Sequence, residues 1–256
     1  MVPFNSAIPI GSLRKITRTL HDSISRVATG LKVMGGNDAG SQSLANTLSA
    51  RAASFQAVES NTDSGVALLQ LAESALLELN NLATRLKEIG VADTLSTNTT
   101  ADTAALNSEA VYVSDTIDSI VSSLTFNNIN ILGTASKTFA IGINDAGNSQ
   151  TIQSTTGIGA TNINDATNAN TSMTTTIGEI TQSLGALSGS LTSLKAYQNV
   201  ATTTKAHLIQ AASNLQDTDF AAETAKITKQ SLIRNYALAM VATANSEELE
   251  KLKLLA

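Results

Sequence analysis

The sequence predicts a mainly α protein: a long antiparallel coiled-coil or helical-bundle rod with a small β-hairpin, its N- and C-terminal helices paired as a second unit. Three observations predict it. Apolar residues recur at heptad steps over stretches much longer than an ordinary globular helix. The 256-residue chain is 42% apolar but only 3% aromatic, with no Trp and no Cys, which suits narrow stripes buried between helices better than one thick core. The plan is also nearly mirror-symmetric. A short helix, an interruption and a long helix open it; a long helix, an interruption and a short helix close it.

The elements follow in order. Leu13, Ile16, Leu20, Ile24, Val27 and Leu31 step by three or four and define the first helical stripe. "GLKVMGGNDAG" (30–40) interrupts it. From Leu44 the seam positions are Leu48, Phe55, Thr62, Leu69, Leu76 and Ala83, with Arg51, Val58, Gly65, Ala72, Leu79 and Leu86 beside them. Arg51, Thr62 and Gly65 are blemishes, yet the register predicts a helix over about 42–90. At ~1.5 Å per residue it would be about 70 Å long, a length typical of a rod or coiled coil. "GVADTLSTNTTADT" (90–103) reads as a polar turn. Leu106, Ala110, Val113, Ile117, Ile120 and Leu124 predict a third helix over 103–124, which "FNNINIL" (126–132) ends with turn chemistry.

At 137–153 the period changes to two. "KTFAIGI" alternates Phe139, Ile141 and Ile143 with small or polar neighbours, "NDAGN" offers a turn and "SQTIQ" a return strand, so a β-hairpin is expected. Residues 154–171 read as a polar loop. Met173, Ile177, Ile180, Leu184, Leu187, Leu191, Leu194, Gln198, Ala201, Lys205, Leu208, Ala212 and Leu215 keep heptad steps without a slip and predict a helix over 172–215. Gly178, Gly185 and Gly189 weaken it by up to ~1 kcal/mol each. Each large aliphatic side chain buried on its seam contributes ~1.5–3 kcal/mol, so the helix needs partners. "LQDTDFAAE" (215–223) is the second interruption, where Asp219 can cap a new helix. Ile227, Leu238, Val241, Leu249, Leu252 and Leu255 are among the apolar positions of that last helix, and Glu247 and Lys251 are spaced for an i,i+4 pair.

Antiparallel pairing of the long helices would set the interruptions side by side. Gly35, Gly36, Asn37, Asp38 and Gly40, with Asp217 and Asp219, are then the candidate hinge. The terminal helices would leave it as a pair, each with one narrow stripe that its partner cannot fully cover. They are expected to order on meeting other copies of the chain.

Composition narrows the function. A net charge of −5 with no dense Lys/Arg run argues against nucleic-acid binding. Zero Cys removes disulfides, zinc thiolates and thiol catalysis. No apolar run reaches the roughly 18 residues of a spanning helix, so membrane insertion is not expected. In "MVPFNSAIPIGSLRKITRTL" the charges Arg14, Lys15 and Arg18 follow the apolar patch, which is not the order of a secretory signal. His21 and His207, the only imidazoles, have no evident constellation, and Asp217 with Asp219 is better read as helix capping than as a calcium site. "GTASKT" lacks the spacing of a phosphate loop, and the Asn98 and Asn170 sequons are explained by composition. No catalytic, cofactor or metal site is assigned.

Five stretches in order resemble bacterial flagellin: "GLKVMGGNDAGSQSLAN" (30–46), "NLATRLKEIGV" (81–91), "TFNNINIL" (125–132), "DTDFAAE" (217–223) and "AMVATAN" (239–245). The resemblance implies a filament-core coiled-coil domain built from 1–36 and 217–256, with a helical rod domain over 37–216. It looks like a short form with little or no outer domain, since only 133–171 lies where such domains are inserted. The implied function is a structural, secreted, extracellular subunit that polymerises into the flagellar filament and gives motility. Leu13, Ile16, Leu20, Ile24, Val27, Leu31, Ile227, Leu238, Val241, Leu249, Leu252 and Leu255 would then form the core contacts.

The implied partners are other copies of the chain, an export chaperone of the flagellar type III route, and junction and cap proteins. Arg85, Ile89 and Glu109 match the pattern that an innate immune Toll-like receptor reads in some flagellins, while Thr84 and Lys87 depart from it. Arg85 and Glu88 could equally form a rod interface or a solvated face. The ending "SEELEKLKLLA" also departs from the family's usual C-terminus. A hook–filament junction protein is the alternative with the same architecture. A secreted protease would need a nucleophile or metal constellation, and a membrane-active role would have to rest on the amphipathic ends.

Overall fold

The structure is a computed structural model that describes residues 7–32, 39–159, 163 and 165–254. Among these residues the elements are helices α1 (Ala7–Thr29), α2 (Ala39–Asp93) and α3 (Thr100–Ser123), strands β1 (Thr125–Phe126), β2 (Ile129–Asn130), β3 (Lys137–Gly142) and β4 (Ser149–Thr155), and helices α4 (Ala166–Gln216) and α5 (Phe220–Leu254). The protein is therefore mainly α with two small antiparallel hairpins. It divides into two compact units. Unit 1 comprises residues 1–50 and 207–256, and unit 2 comprises 51–206. The sequence reading sets its domain bounds at the two interruptions, as 1–36, 37–216 and 217–256.

Unit 2 holds the large core. Leu69, Leu76, Leu79, Leu86 and Ile89 of α2, Ile117 of α3 and Met173, Ile180, Leu187 and Leu194 of α4 are all essentially inaccessible to water. These are heptad positions, and their burial is why glycine-bearing α4 holds as a helix. Two of the three blemishes of the α2 seam, Thr62 and Gly65, have packing reasons. Thr62 is fully buried, and its hydroxyl donates to its own helix at Val58 O (3.0 Å) and Glu59 O (2.8 Å). At Gly65 a Cβ would come within 2.7 Å of Leu194 Cδ2 and 3.2 Å of Ile141 Cγ1, so the missing side chain is the socket for α4 and β3. Gly90 allows an even closer approach. A Cβ there would lie 2.6 Å from the Asn170 backbone nitrogen and 3.1 Å from Ala166 O.

α2 runs three residues further at each end than the sequence reading, and three other boundaries differ from it for a local polar reason. α3 starts earlier, at Thr100, because Thr99 and Asp102 form a reciprocal capping box inside the stretch read as turn. α4 starts at Ala166 rather than 172. Asp165 Oδ1 accepts from Asn168 N (3.1 Å) and Asn107 Oδ1 from Ala166 N (2.7 Å), which satisfies the first free N–H groups of a polar, Asn-rich start. The segment 125–132 forms a minimal hairpin as well as a turn. Asn127 (φ 49°) and Asn128 (φ 63°) are both left-handed, as a two-residue loop of the primed type demands.

The larger hairpin pairs Phe139 with Ile152 and Ile141 with Gln150. Serine hydroxyls on α4 hold it. Ser190 Oγ accepts from Gln153 N (3.0 Å), and the buried Ser183 Oγ accepts from Thr156 N (3.1 Å).

Candidate assembly surface

In unit 1, α1 and α5 pack against each other. The joint begins with Gly30. Its N–H donates to Arg26 O (2.8 Å) and its φ is +73°, so it ends α1 as a left-handed cap. Leu31 then pairs with Asp217 in an isolated antiparallel bridge. Lys32 N donates to Gln216 O (2.7 Å) and Thr218 N to Gly30 O (2.9 Å). Asp219 Oδ1 accepts from Ala222 N (3.0 Å) and caps α5, and the Asp217 carboxylate accepts from the Ser213 hydroxyl. Segments 30–32 and 216–218 are thus joined by backbone hydrogen bonds. Of the candidate hinge, Gly40 lies in the first turn of α2, while Gly35, Gly36, Asn37 and Asp38 lie outside the described residues.

Beyond the bridge sits a charged contact that the sequence reading missed. The Glu223 side chain is only 7% exposed; its Oε1 is 2.8 Å from Lys226 Nζ and 3.4 Å from Arg26 Nη1. Lys226 chiefly, with help from Ser23 and Arg26, holds this carboxyl below the ordinary carboxylate range, against the opposing effect of burial. This contact also rotates the apolar stripe of α1. Leu20 is buried and Leu13, Ile16, Val27 and Leu31 are half-buried, but the buried step after Leu20 is Ser23, and Ile24 is 46% exposed. Both steps fit a helical period. Ser23, whose hydroxyl helps to lower the pKa of Glu223, takes the buried place.

On α5, Ile227 and Val241 are half-buried, whereas Leu238 is exposed and Ala237 takes the half-buried place beside it. Leu249 and Leu252 belong to the helix, but their side chains lie outside the described residues, as does all of Leu255. A second apolar stripe emerges on the outer side of α5. Leu232, Ile233, Tyr236 and Met240 are exposed, Tyr236 by 73% and Met240 by 66%. The sequence carried the signal, since 233, 236 and 240 step by three and four, but a helix with one partner was expected to need one stripe. Exposed large apolar side chains grouped on one face mark an interaction surface.

The candidate recognition patch lies in unit 2. Arg85 Nη2 and Nε donate to Glu109 Oε1 at 2.7 and 3.0 Å, and Nη1 approaches Glu88 Oε2 at 3.4 Å. Glu109 foremost raises the pKa of the guanidinium. All three side chains are well exposed. Ile89 is not part of this surface: it is 1% exposed and packs into the core.

A buried heptad bundle in one unit and an under-covered helix pair in the other define the class, a long-helix structural protein whose ends offer apolar faces. The chain belongs to the bacterial flagellin family, as the model of the bacterial flagellin N-terminal helical region matches residues 7–137. Flagellin of Halalkalibacterium halodurans is 28% identical over 246 residues, covering 91% of this chain and 90% of that one. Flagellin of Escherichia coli K12 is 30% identical over 142 residues, covering 55% of this chain and 28% of that one. The chain therefore matches only about a quarter to a third of the length of several enteric relatives. The crystal structure of Bacillus cereus flagellin is 21% identical at a TM-score of 0.39, covering 61% of this chain and 93% of that one.

Proposed function

We propose that the chain is a structural subunit that polymerises into the extracellular bacterial flagellar filament and so serves motility. Family membership supports this reading, and the observation that carries it is the outer stripe of α5. Leu232, Ile233, Tyr236 and Met240 leave more apolar area in water than a helix pair needs to retain. Burying each such side chain against a neighbouring copy contributes ~1.5–3 kcal/mol. Several per subunit, repeated along a polymer, offset the cost of ordering and association. The match to a flagellin over 90% of that protein's length favours a filament subunit over a hook–filament junction protein.

The test replaces Leu232, Tyr236 and Met240 together by Ser. We expect a folded, soluble chain that no longer extends seeded filaments in electron micrographs. Filaments of normal length and number from this variant would refute the reading. Deleting residues 1–36 or 220–256 should likewise leave a folded unit 2 that does not polymerise.

Type III export, an export chaperone on the C-terminal helix, and junction and cap partners are further parts of the same proposal, supported by family membership. Immune-receptor recognition rests on the exposed Arg85–Glu88–Glu109 network. Arg85→Ala should abolish receptor signalling by the monomer, and undiminished signalling would remove that part.

A further inference from the structure

The α2–α4 seam of unit 2 changes character along its length. From Leu69 to Ile89, facing Met173 to Leu194, it is apolar and dry. Past Leu194 the buried apolar positions of unit 2 shrink to Ala52, Phe55 and Val58 on α2 and Ala201 on α4. Here polar side chains span the seam instead. Gln198 Nε2 donates to Asp63 Oδ1, and Thr202 Oγ1 donates to Glu59 Oε1. Lys205 Nζ pairs with Glu59 Oε2 and donates to Gln56 Oε1 at 2.9 Å. Glu59 and Lys205 are largely withdrawn from water, their side chains 14% and 21% exposed.

The rungs follow one rule. Going down α2 from Asp63 to Glu59 to Gln56 takes steps of four and three. Going up α4 from Gln198 to Thr202 to Lys205 takes the same steps. Each rung is therefore one turn from the next, and all of them close in a single antiparallel register.

We propose that this polar ladder is a register lock, which fixes the pairing of α2 residues 56–63 with α4 residues 198–205 where apolar packing is too sparse to do so. A heptad seam is nearly indifferent to a slip of seven residues, because apolar positions meet apolar positions again. The ladder is not indifferent. A slip that brings lower-numbered α4 residues opposite α2 offers Lys195 to Glu59 but sets Asp63 against Leu191 and Thr202 against Ala52, so the Asp63 and Thr202 hydrogen bonds are lost. A slip the other way takes Lys205 to Asp63 and strips Glu59 of both Thr202 and Lys205. Glu59, largely withdrawn from water, is disfavoured without a partner, and the more exposed rungs supply hydrogen bonds that a slipped pairing lacks, so alternatives are excluded more than the native pairing is strengthened.

The full chain, which contains no Cys, permits direct measurement. Spin labels would be placed on exposed positions through Ala57→Cys with Ala196→Cys, and Ala57→Cys with Thr203→Cys. Double electron–electron resonance then reports the pairing of the monomer. A heptad slip moves a label by about 10 Å along the helix axis at ~1.5 Å per residue. Lys205→Glu should reduce the native-distance population at least threefold in both pairs. The swapped variant Glu59→Lys/Lys205→Glu should restore it, and Lys205→Arg should keep it. Native distances retained in Lys205→Glu would overturn the proposal. So would a swapped variant that stays displaced, because general destabilisation rather than register would then be the cause. The result does not depend on polymerisation and so stands apart from the filament reading.

Discussion

The two units use the same raw material, heptad-spaced aliphatic residues on α-helices, to opposite ends. In unit 2 the stripes of α2, α3 and α4 meet one another, and side chains such as Leu76, Leu79 and Ile180 reach zero exposure. In unit 1 the stripes of α1 and α5 meet only along one line. Among the described side chains of α1, Leu20 is the one large apolar side chain that is buried, and α5 turns Leu232, Ile233, Tyr236 and Met240 outward. The difference teaches that apolar periodicity sets where a helix can be covered, while the number of neighbours sets whether it is. A helix with one neighbour and two stripes is built for further company.

Core truncation should separate the units most strongly. Leu76→Ala removes a fully buried side chain from a site walled on all sides, and we expect a loss of about 2–5 kcal/mol in denaturant unfolding of the monomer. Ile24→Ala in unit 1 removes a side chain already half in water and should change monomer stability by no more than about 0.5 kcal/mol. Equal effects at the two sites would break the comparison, because unit 1 would then own a core as closed as that of unit 2.

Glycine substitutions should sharpen it, with effects of opposite sign. At Gly90 a new Cβ meets backbone atoms of α4, 2.6 and 3.1 Å away, which cannot rotate aside. Gly90→Ala should therefore destabilise by about 1–3 kcal/mol through overpacking. At Gly40 nothing lies within 4 Å, so Gly40→Ala should stabilise by up to ~1 kcal/mol through helix propensity alone. Thermal unfolding of the two variants decides it; a stabilising Gly90→Ala would mean that α2 and α4 are not in backbone contact there.

These contrasts mark how much could be read from the residues. The seam from Leu69 to Leu86 and that from Met173 to Leu194 were legible because every step is apolar and in period. Gly65 was legible only as a defect, and Gly90 only as the start of a turn. Their reason lies on other elements, in Leu194, Ile141 and Asn170, and periodicity along one helix carries no information about who faces it. The start of α3 was hidden for another reason: the capping pair Thr99 and Asp102 is polar, like the turn residues around it. In unit 1 the choice between Ser23 and Ile24 was undecidable from α1 alone, because both steps fit the helical period. It depends on Glu223, which is 200 residues along the chain from Ser23.

The smallest predicted effect is the response to acid, and it probes that same carboxylate. Glu223 and Glu59 each have a folded-state pKa below the ordinary value near 4.5, Glu223 chiefly because of Lys226 and Glu59 chiefly because of Lys205. A depressed folded pKa means that the unfolded chain binds more protons in the window between the two values. Each group therefore contributes stability that is fully present above the unfolded value and is lost as pH falls through the folded one. The contributions should be below about 1 kcal/mol each, as for ion pairs within reach of water. Their consequences should nevertheless differ. Unit 2 has its dry core in reserve, whereas Glu223 is the one charged tie found between α1 and α5 among the described residues. Amide exchange between pH 6 and pH 3.5, corrected for intrinsic rates, should therefore accelerate first in residues 220–231 and only later in 56–63. Glu223→Gln should flatten the pH dependence of 220–231 and leave that of 56–63 unchanged. If both segments instead responded to acid together in the variant, the carboxylate would not be what holds the terminal pair.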